Sequence, residues 1–408
     1  MSADVMQTPA RHLRWILALA AVCWTVAITI NATAFFVIAA PENQRVLQNN
    51  VGWERTYKPM IHDRLKPEVA VFGASWARDA FDFEETTQIL GRPFFNHAVS
   101  GGQAYENRRF LQSALTGGRL QAVMLNVDSF LRRSNQLQFQ YGFNEGLLNV
   151  DPAGHTNSGV QAQRFFAATL SGAAIGNNLS ALGILRQFRG GKPKSELLRA
   201  YDRHDFAARA ERVALWRRSV LEGAPTGEGQ PAPFSQADFD RASEELGRAV
   251  DIACQAGVRV VAYWTPSHAA IVDRAIDQTE LKTAVWRLLA ARESRCPGGL
   301  ALHDFNYPNL VSLEAVLDGA PQGRYFRTDG HPRPTVGELM SSVMFQRPGP
   351  GAGLQDFGNA NLLSLSEADA RAWTARREAR WRGTWTDEDR AQLRADLGHT
   401  QTHGAPGR

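Results

Sequence analysis

The sequence predicts an α/β domain built on a parallel sheet, interrupted by a mostly helical insertion and preceded by a membrane-spanning helix. Three observations carry that prediction. Short apolar runs rich in β-branched residues recur along the 408 residues, helical patterns lie between several of them, and one long uncharged stretch opens the chain.

The uncharged stretch runs from Trp15 to Pro41, WILALAAVCWTVAITINATAFFVIAAP. It is long enough for a hydrocarbon layer of roughly 30 Å. The apolar core of a cleaved signal is shorter, about 7–15 residues, so the segment reads as a retained anchor. The small residues before Pro41 leave cleavage open. Arg11 and Arg14 precede the span, which places residues 1–14 in the cytoplasm. The bulk of the chain then lies outside the cytoplasmic membrane, in a periplasm for a Gram-negative host.

Residues 42–67 are polar and read as a linker from membrane to domain. Strand signals follow at 68–75 (EVAVFGAS), 92–101 (RPFFNHAVSG), 120–130 (LQAVMLNVDSF), 258–266 (VRVVAYWTP) and, more weakly, 300–306 (LALHDFN). A helix is expected over 76–89, another near 104–117 and a third over 235–257, which Gly257 stops. The α/β domain thus comprises 68–140 and 235–347, with 141–234 as a helical cap. Residues 348–408 form a helical extension in which Trp373, Trp381 and Trp385 share a face among arginines. That face suits either packing on the domain or a membrane surface. Cys254 and Cys296 each end a helical pattern that feeds a strand. They can pair in an oxidising compartment or remain as two buried thiols.

A formal charge of +4 without a basic stripe argues against nucleic acid, and none is expected as a partner. His62, His303 and Asp304 have no metal-ligand spacing, and no glycine-rich phosphate loop occurs, so no metal or cofactor is expected.

Candidate chemistry centres on Ser75. It follows the first strand at its C-terminal edge, where α/β sheets bind ligands, and it opens a helix. A helix cap is the plainer role for such a serine. In YFRTDGHPRPTVGELM (325–340), Asp329 and His331 stand two apart and can project to one side. Such a pair can orient an imidazole and let it take the serine proton. The backbone N–H groups of Ser75 and Gly101, the latter in NHAVSGG after the second strand, are candidate oxyanion donors. Arg78 is a candidate for a substrate carboxylate or a surface ion pair. Asn96 and His97 are candidates for substrate contact or turn packing, and His268 for the rim of the site.

The order of Ser75, Gly101 and the Asp329-x-His331 block resembles the SGNH hydrolase superfamily, esterases and acyltransferases on a flavodoxin-like three-layer sandwich. The anchor and the close Asp-x-His spacing look like the extracytoplasmic polysaccharide O-acetyltransferases, such as those acting on alginate. Pro332 stands where those relatives commonly have an aromatic residue. The resemblance implies Ser75 as nucleophile, His331 as base and then acid, Asp329 as its orienter and Gly101 as oxyanion donor. It further implies a polysaccharide or acylated glycan substrate and a multi-span membrane acyltransferase partner. One position departs from the pattern. The superfamily's third block places an asparagine where this chain has Asp128, with Asn126 a step early in VMLNVDSF. Either Asn126 turns to serve as the third oxyanion donor, another group takes its place, or the chain is a degraded relative that binds glycan or a partner protein.

Overall fold

The computed structural model describes residues 7–38, 54–131, 142–170, 176, 178, 182, 236–268, 278–314, 324–326, 331–351, 354, 356–358 and 361–383. Five strands, β1 (Val69–Phe72), β2 (Phe94–Asn96), β3 (Ala122–Asn126), β4 (Arg259–Trp264) and β5 (Leu300–Asp304), form one all-parallel sheet of order β2-β1-β3-β4-β5. This is the order of doubly wound, flavodoxin-like sheets, and it reverses direction beside β1, where such folds open a crevice.

The strands are buried on both faces and are accordingly mostly apolar. Alternate residues serve opposite layers. Ala70, Phe72, Val123, Leu125, Val260 and Ala262 pack beneath α5 (Ala104–Leu115), α8 (Gln236–Gln255) and α9 (Thr279–Glu293). Val69, Val71, Met124, Val261 and Tyr263 pack against α3 (Ser75–Ala80), α4 (Phe83–Leu90) and α10 (Pro334–Met344). The result is three layers, as expected.

Two departures from the sequence reading have local causes. The helix expected over 76–89 is two helices, because Asp82 stays extended and its carboxylate accepts from the N–H of Glu84 at 2.8 Å, capping α4. Part of the expected linker is helix α2 (Glu54–Leu65), whose Glu54 and Arg55 are buried in ion pairs with Arg78 and Glu106 of the domain. Helix α10 takes its first turn from Pro334. Within the described part of the insertion, a 3-10 turn (Glu145–Leu147) and α7 (Val160–Thr169) occur. They pack beside α2, and the remainder of 141–234 falls largely outside the described residues.

The cysteine alternatives are resolved. Cys254, at the end of α8, is bonded to Cys296, which precedes β5, with Cα atoms 4.4 Å apart. Helix α1 (Gln7–Ile38) contains the long apolar segment Arg11–Val37. A disulfide behind an apolar N-terminal helix points to an extracytoplasmic protein. The C-terminal helix α11 (Glu367–Gly383) packs on α9 with Trp381 buried and Arg377 over the Trp373 ring at 3.6 Å. Trp385 lies outside the described residues.

Candidate active site

Ser75 is the first residue of α3, and Ala74 holds the capping position without any side-chain cap. The serine hydroxyl therefore is not spent on the helix. It faces His331, whose Nε2 lies 3.0 Å from Ser75 Oγ, bringing together residues 256 apart in sequence. The Trp76 ring stands edge-on to the imidazole at 6.3 Å. Ser75 is 8% exposed and His331 half-buried.

The turn that presents Ser75 is held from beneath. Gly73 leaves no side chain because a Cβ there would stand 2.8 Å from Asn126 Cβ and 2.7 Å from Ala77 Cβ. The Ala74 N–H donates at 2.6 Å to the Oγ of Ser129, on the short helix α6 (Val127–Phe130), and that hydroxyl donates in turn to Asn126 Oδ1. Asn126 is fully buried. Its amide hydrogens go to Thr265 Oγ1 at 2.6 Å and Asp128 Oδ2 at 3.1 Å. Both are engaged below the turn, so Asn126 positions the serine strand end and offers the rim no donor in this arrangement. The same Asp128 oxygen accepts the Thr265 N–H at 2.7 Å. Burial pushes the Asp128 carboxyl up to about 6, against the Thr265 and Asn126 donors that pull it down.

His331 is placed by a second construction. Glu314, after β5, accepts the N–H groups of Tyr325 and Phe326 at 2.9 and 3.0 Å, fixing the stretch ahead of the histidine. Phe326 bridges to Pro332, and the Arg333 N–H donates to the Tyr325 carbonyl at 2.8 Å. Asp329 lies outside the described residues.

The remaining candidates divide by role. Gly101 adopts φ +62 at the half-buried tip of the loop after β2. That loop is clamped by the first turn of α2. Glu54 accepts the Ser100 N–H at 2.7 Å, Arg55 donates to the Ser100 carbonyl at 2.9 Å, and Lys58 donates to the Ala98 carbonyl. Arg78 is neither a surface pair nor turned to a substrate. It is buried between Asp79 at 2.7 Å and Glu54 at 3.0 Å, partners whose negative charge overcomes the penalty of burying the guanidinium.

Asn96 ties β2 to the serine helix, donating to the carbonyls of Arg78 (3.0 Å) and Phe81 (2.8 Å). His97 packs flat on Phe72 with both ring nitrogens buried, and burial first, then His62 and Lys58, holds it neutral. For Asn96 and His97 the packing alternative therefore describes the geometry. His268 places Nε2 2.9 Å from the Glu314 carbonyl, so this nitrogen carries a proton and braces the loop that leads to His331.

Sequence reasoning missed Ser129, Thr265, Glu314 and Glu54. Only Ser129 carried a local signal, as a hydroxyl two residues beyond Val127 in the third apolar run. Among the described residues no group of acidic, histidine or cysteine side chains is arranged to hold a metal ion. Comparisons with family models, characterised proteins and solved structures give no match for this chain.

Proposed function

We propose that this chain is a serine-dependent acyltransferase or esterase of the SGNH hydrolase superfamily. It acts on O-acetyl groups of a cell-envelope or exported polysaccharide, and α1 anchors it in the cytoplasmic membrane with the domain in the periplasm. The observation that carries the reading is the 3.0 Å approach of His331 Nε2 to Ser75 Oγ at the C-terminal edge of the sheet. A hydroxyl within hydrogen-bond reach of an imidazole can lose its proton as it attacks a carbonyl.

In this mechanism Ser75 Oγ bonds to the acetyl carbon while its proton moves to His331 Nε2. The negative oxygen of the tetrahedral species meets the N–H groups of Ser75 and Gly101. His331 then protonates the departing alcohol, leaving acetyl-Ser75. A sugar hydroxyl, or water, gives its proton to Nε2 as it attacks, and Ser75 is regenerated. Asp329 is assigned by sequence to orient the imidazole. A multi-span membrane acyltransferase is the proposed donor of acetyl groups, for which an anchored acceptor enzyme is suitably placed.

The test is the reaction of the full chain with an activated acetyl ester. A stoichiometric burst and an acetylated Ser75 in the mass spectrum are expected, with Ser75→Ala and His331→Ala slower by on the order of 10³-fold or more. Failure to acylate Ser75 with any ester or thioester donor would remove the enzyme. A second reading is favoured by one observation, the engagement of both Asn126 amide hydrogens beneath the turn. It makes the chain a degraded relative that binds glycan or a protein partner. Ser75→Ala and His331→Ala would then leave biological function intact, while deletion of α1 abolishes it.

A further inference from the structure

Helix α1 changes its environment along its length. From Arg11 to Val26 every side chain is exposed, while Asn31, Ala34 and Phe35 are buried against the domain. Their neighbours are Tyr57, Met60 and Ile61 of α2, Phe95 of β2 and Ala168 of α7. The polar residues of α1 follow the same division. The hydroxyls of Thr25, Thr29 and Thr33 donate to carbonyls one turn back, each at 2.8 Å, a solution that works in lipid. Asn31 instead uses the domain. Its amide donates to the Thr169 carbonyl at 3.1 Å, and its carbonyl accepts from Asn178 at 3.1 Å. The Tyr57 hydroxyl donates to Asn178 Oδ1 at 2.9 Å.

The depth of this joint follows from helix geometry. Asn31 lies about 24 Å along the axis from Trp15 at ~1.5 Å per residue. A hydrocarbon layer of roughly 30 Å that begins at Trp15, just past Arg11 and Arg14, extends beyond Asn31. The end of α7, hydrogen-bonded to Asn31, then lies within about 6 Å of the outer boundary of that layer, not above it. One turn back from Thr169 on the same helix stand Phe165 and Phe166, 42% and 56% exposed. Phe36 of α1 is also exposed, and the guanidinium of exposed Arg64 lies 5.6 Å from its ring centre.

We propose that the face around the exit of α1, formed by Phe36, Phe165 and Phe166 with Arg64 at its margin, is seated in the outer headgroup layer of the membrane, with phospholipid as its partner. Continuity with the spanning helix selects lipid over other occupants of an apolar face. Exposed aromatic rings beside an arginine are side chains that an interface accommodates. The inference rests on the reading of α1 as a retained anchor.

The experiment is a nitroxide depth measurement on the full chain in vesicles of phosphatidylethanolamine and phosphatidylglycerol. Single labels are placed, in a Cys23→Ala background, at Leu19→Cys, Phe165→Cys, Phe166→Cys and Ala291→Cys. The last is exposed on α9, at the opposite end of the sheet from β2. Collision rates with oxygen and with a nickel chelate are then compared. The expected oxygen-to-nickel ratio at the two phenylalanine sites is several-fold above that at Ala291 and below that at Leu19. A ratio equal to that at Ala291, with Leu19 deep in lipid, overturns the seating while leaving the anchor in place. Exclusion of both reagents from the phenylalanine sites overturns it in favour of a protein cover. A nickel-accessible Leu19, or its loss by cleavage, removes the anchor reading itself. Unchanged melting temperatures of the labelled chains verify the fold.

Discussion

Replacing Asp128 by asparagine should stabilise this protein at neutral pH and leave it unchanged in acid. The side chain is wedged beneath the serine turn, where its Oδ2 accepts the Thr265 N–H and the Asn126 amide. Burial raises its pKa from the ordinary 3.8 to about 6. A carboxyl raised on folding binds more protons in the native than in the unfolded state between those two values. Its contribution is therefore fully present below about 3.8 and is lost as the pH rises through about 6. At ~1.36 kcal/mol per unit, the full penalty at neutral pH is about 3 kcal/mol. Partial exposure of the side chain screens this to about 1–2 kcal/mol. Asparagine keeps an acceptor for both donors and carries no charge. Melting of the full chain in detergent should show Asp128→Asn higher by about 2–6 °C at about pH 7.5, with the two curves converging near about pH 4. A variant that melts lower at neutral pH, with the wild-type pH slope intact, would refute the argument, because the ionised carboxylate would then be the favoured form.

Three further outcomes follow from packing and pairing. In Gly337→Ala the new Cβ would stand 1.9 Å from the Ala80 carbonyl oxygen, so α10 must move off the serine helix and carry His331 with it. A loss of about 1–3 kcal/mol in urea denaturation, together with loss of Ser75 acylation, is expected. Lys282→Met removes a buried ammonium that lies 2.9 Å from Asp304 and 2.8 Å from Glu378. It should cost about 3–5 kcal/mol by denaturant midpoint, with partial recovery when Asp304→Asn and Glu378→Gln are added. Replacing both Cys254 and Cys296 by alanine releases a cross-link between residues 42 apart. The melting point should fall by the equivalent of about 2–4 kcal/mol, and a reductant should no longer affect it.

The sheet was legible because its strands are buried on both faces. Five apolar runs marked five strands, and even the weaker run at 300–306 forms Leu300–Asp304. The ends of elements were less legible. Asp82 precedes Glu85 by three residues, a local cap signature inside what otherwise reads as one helix. Ser75 and His331 could be named because each lies in a distinctive short block, and their 3.0 Å contact is a matter of geometry between those blocks. The supports of the site could not be named. Glu54, Arg55 and Lys58 look like solvated charges on a linker, and their burial depends on Arg78, Glu106 and the loop after β2. Ser129 and Glu314 act on backbone N–H groups, which every residue possesses, so no sequence pattern singles out their partners.

These supports also determine how the proposed site relates to the membrane. The first turn of α2 grips the Ala98–Gly101 loop through Glu54, Arg55 and Lys58, and Glu54 also holds Arg78 in the serine helix. Other residues of the same helix, Tyr57, Met60 and Ile61, pack against Phe35 at the end of α1. A single twelve-residue helix thus joins α1 to the loop after β2 and to the serine helix. A domain hung on a loose tether would sample many heights above the bilayer. Here a change in height requires separating Asn31 from Thr169 and Asn178 and exposing the apolar cluster around Phe35, a cost that a free tether does not carry. Under the proposed function, an acylated glycan would meet Ser75 at a height set by this joint and not by a free tether.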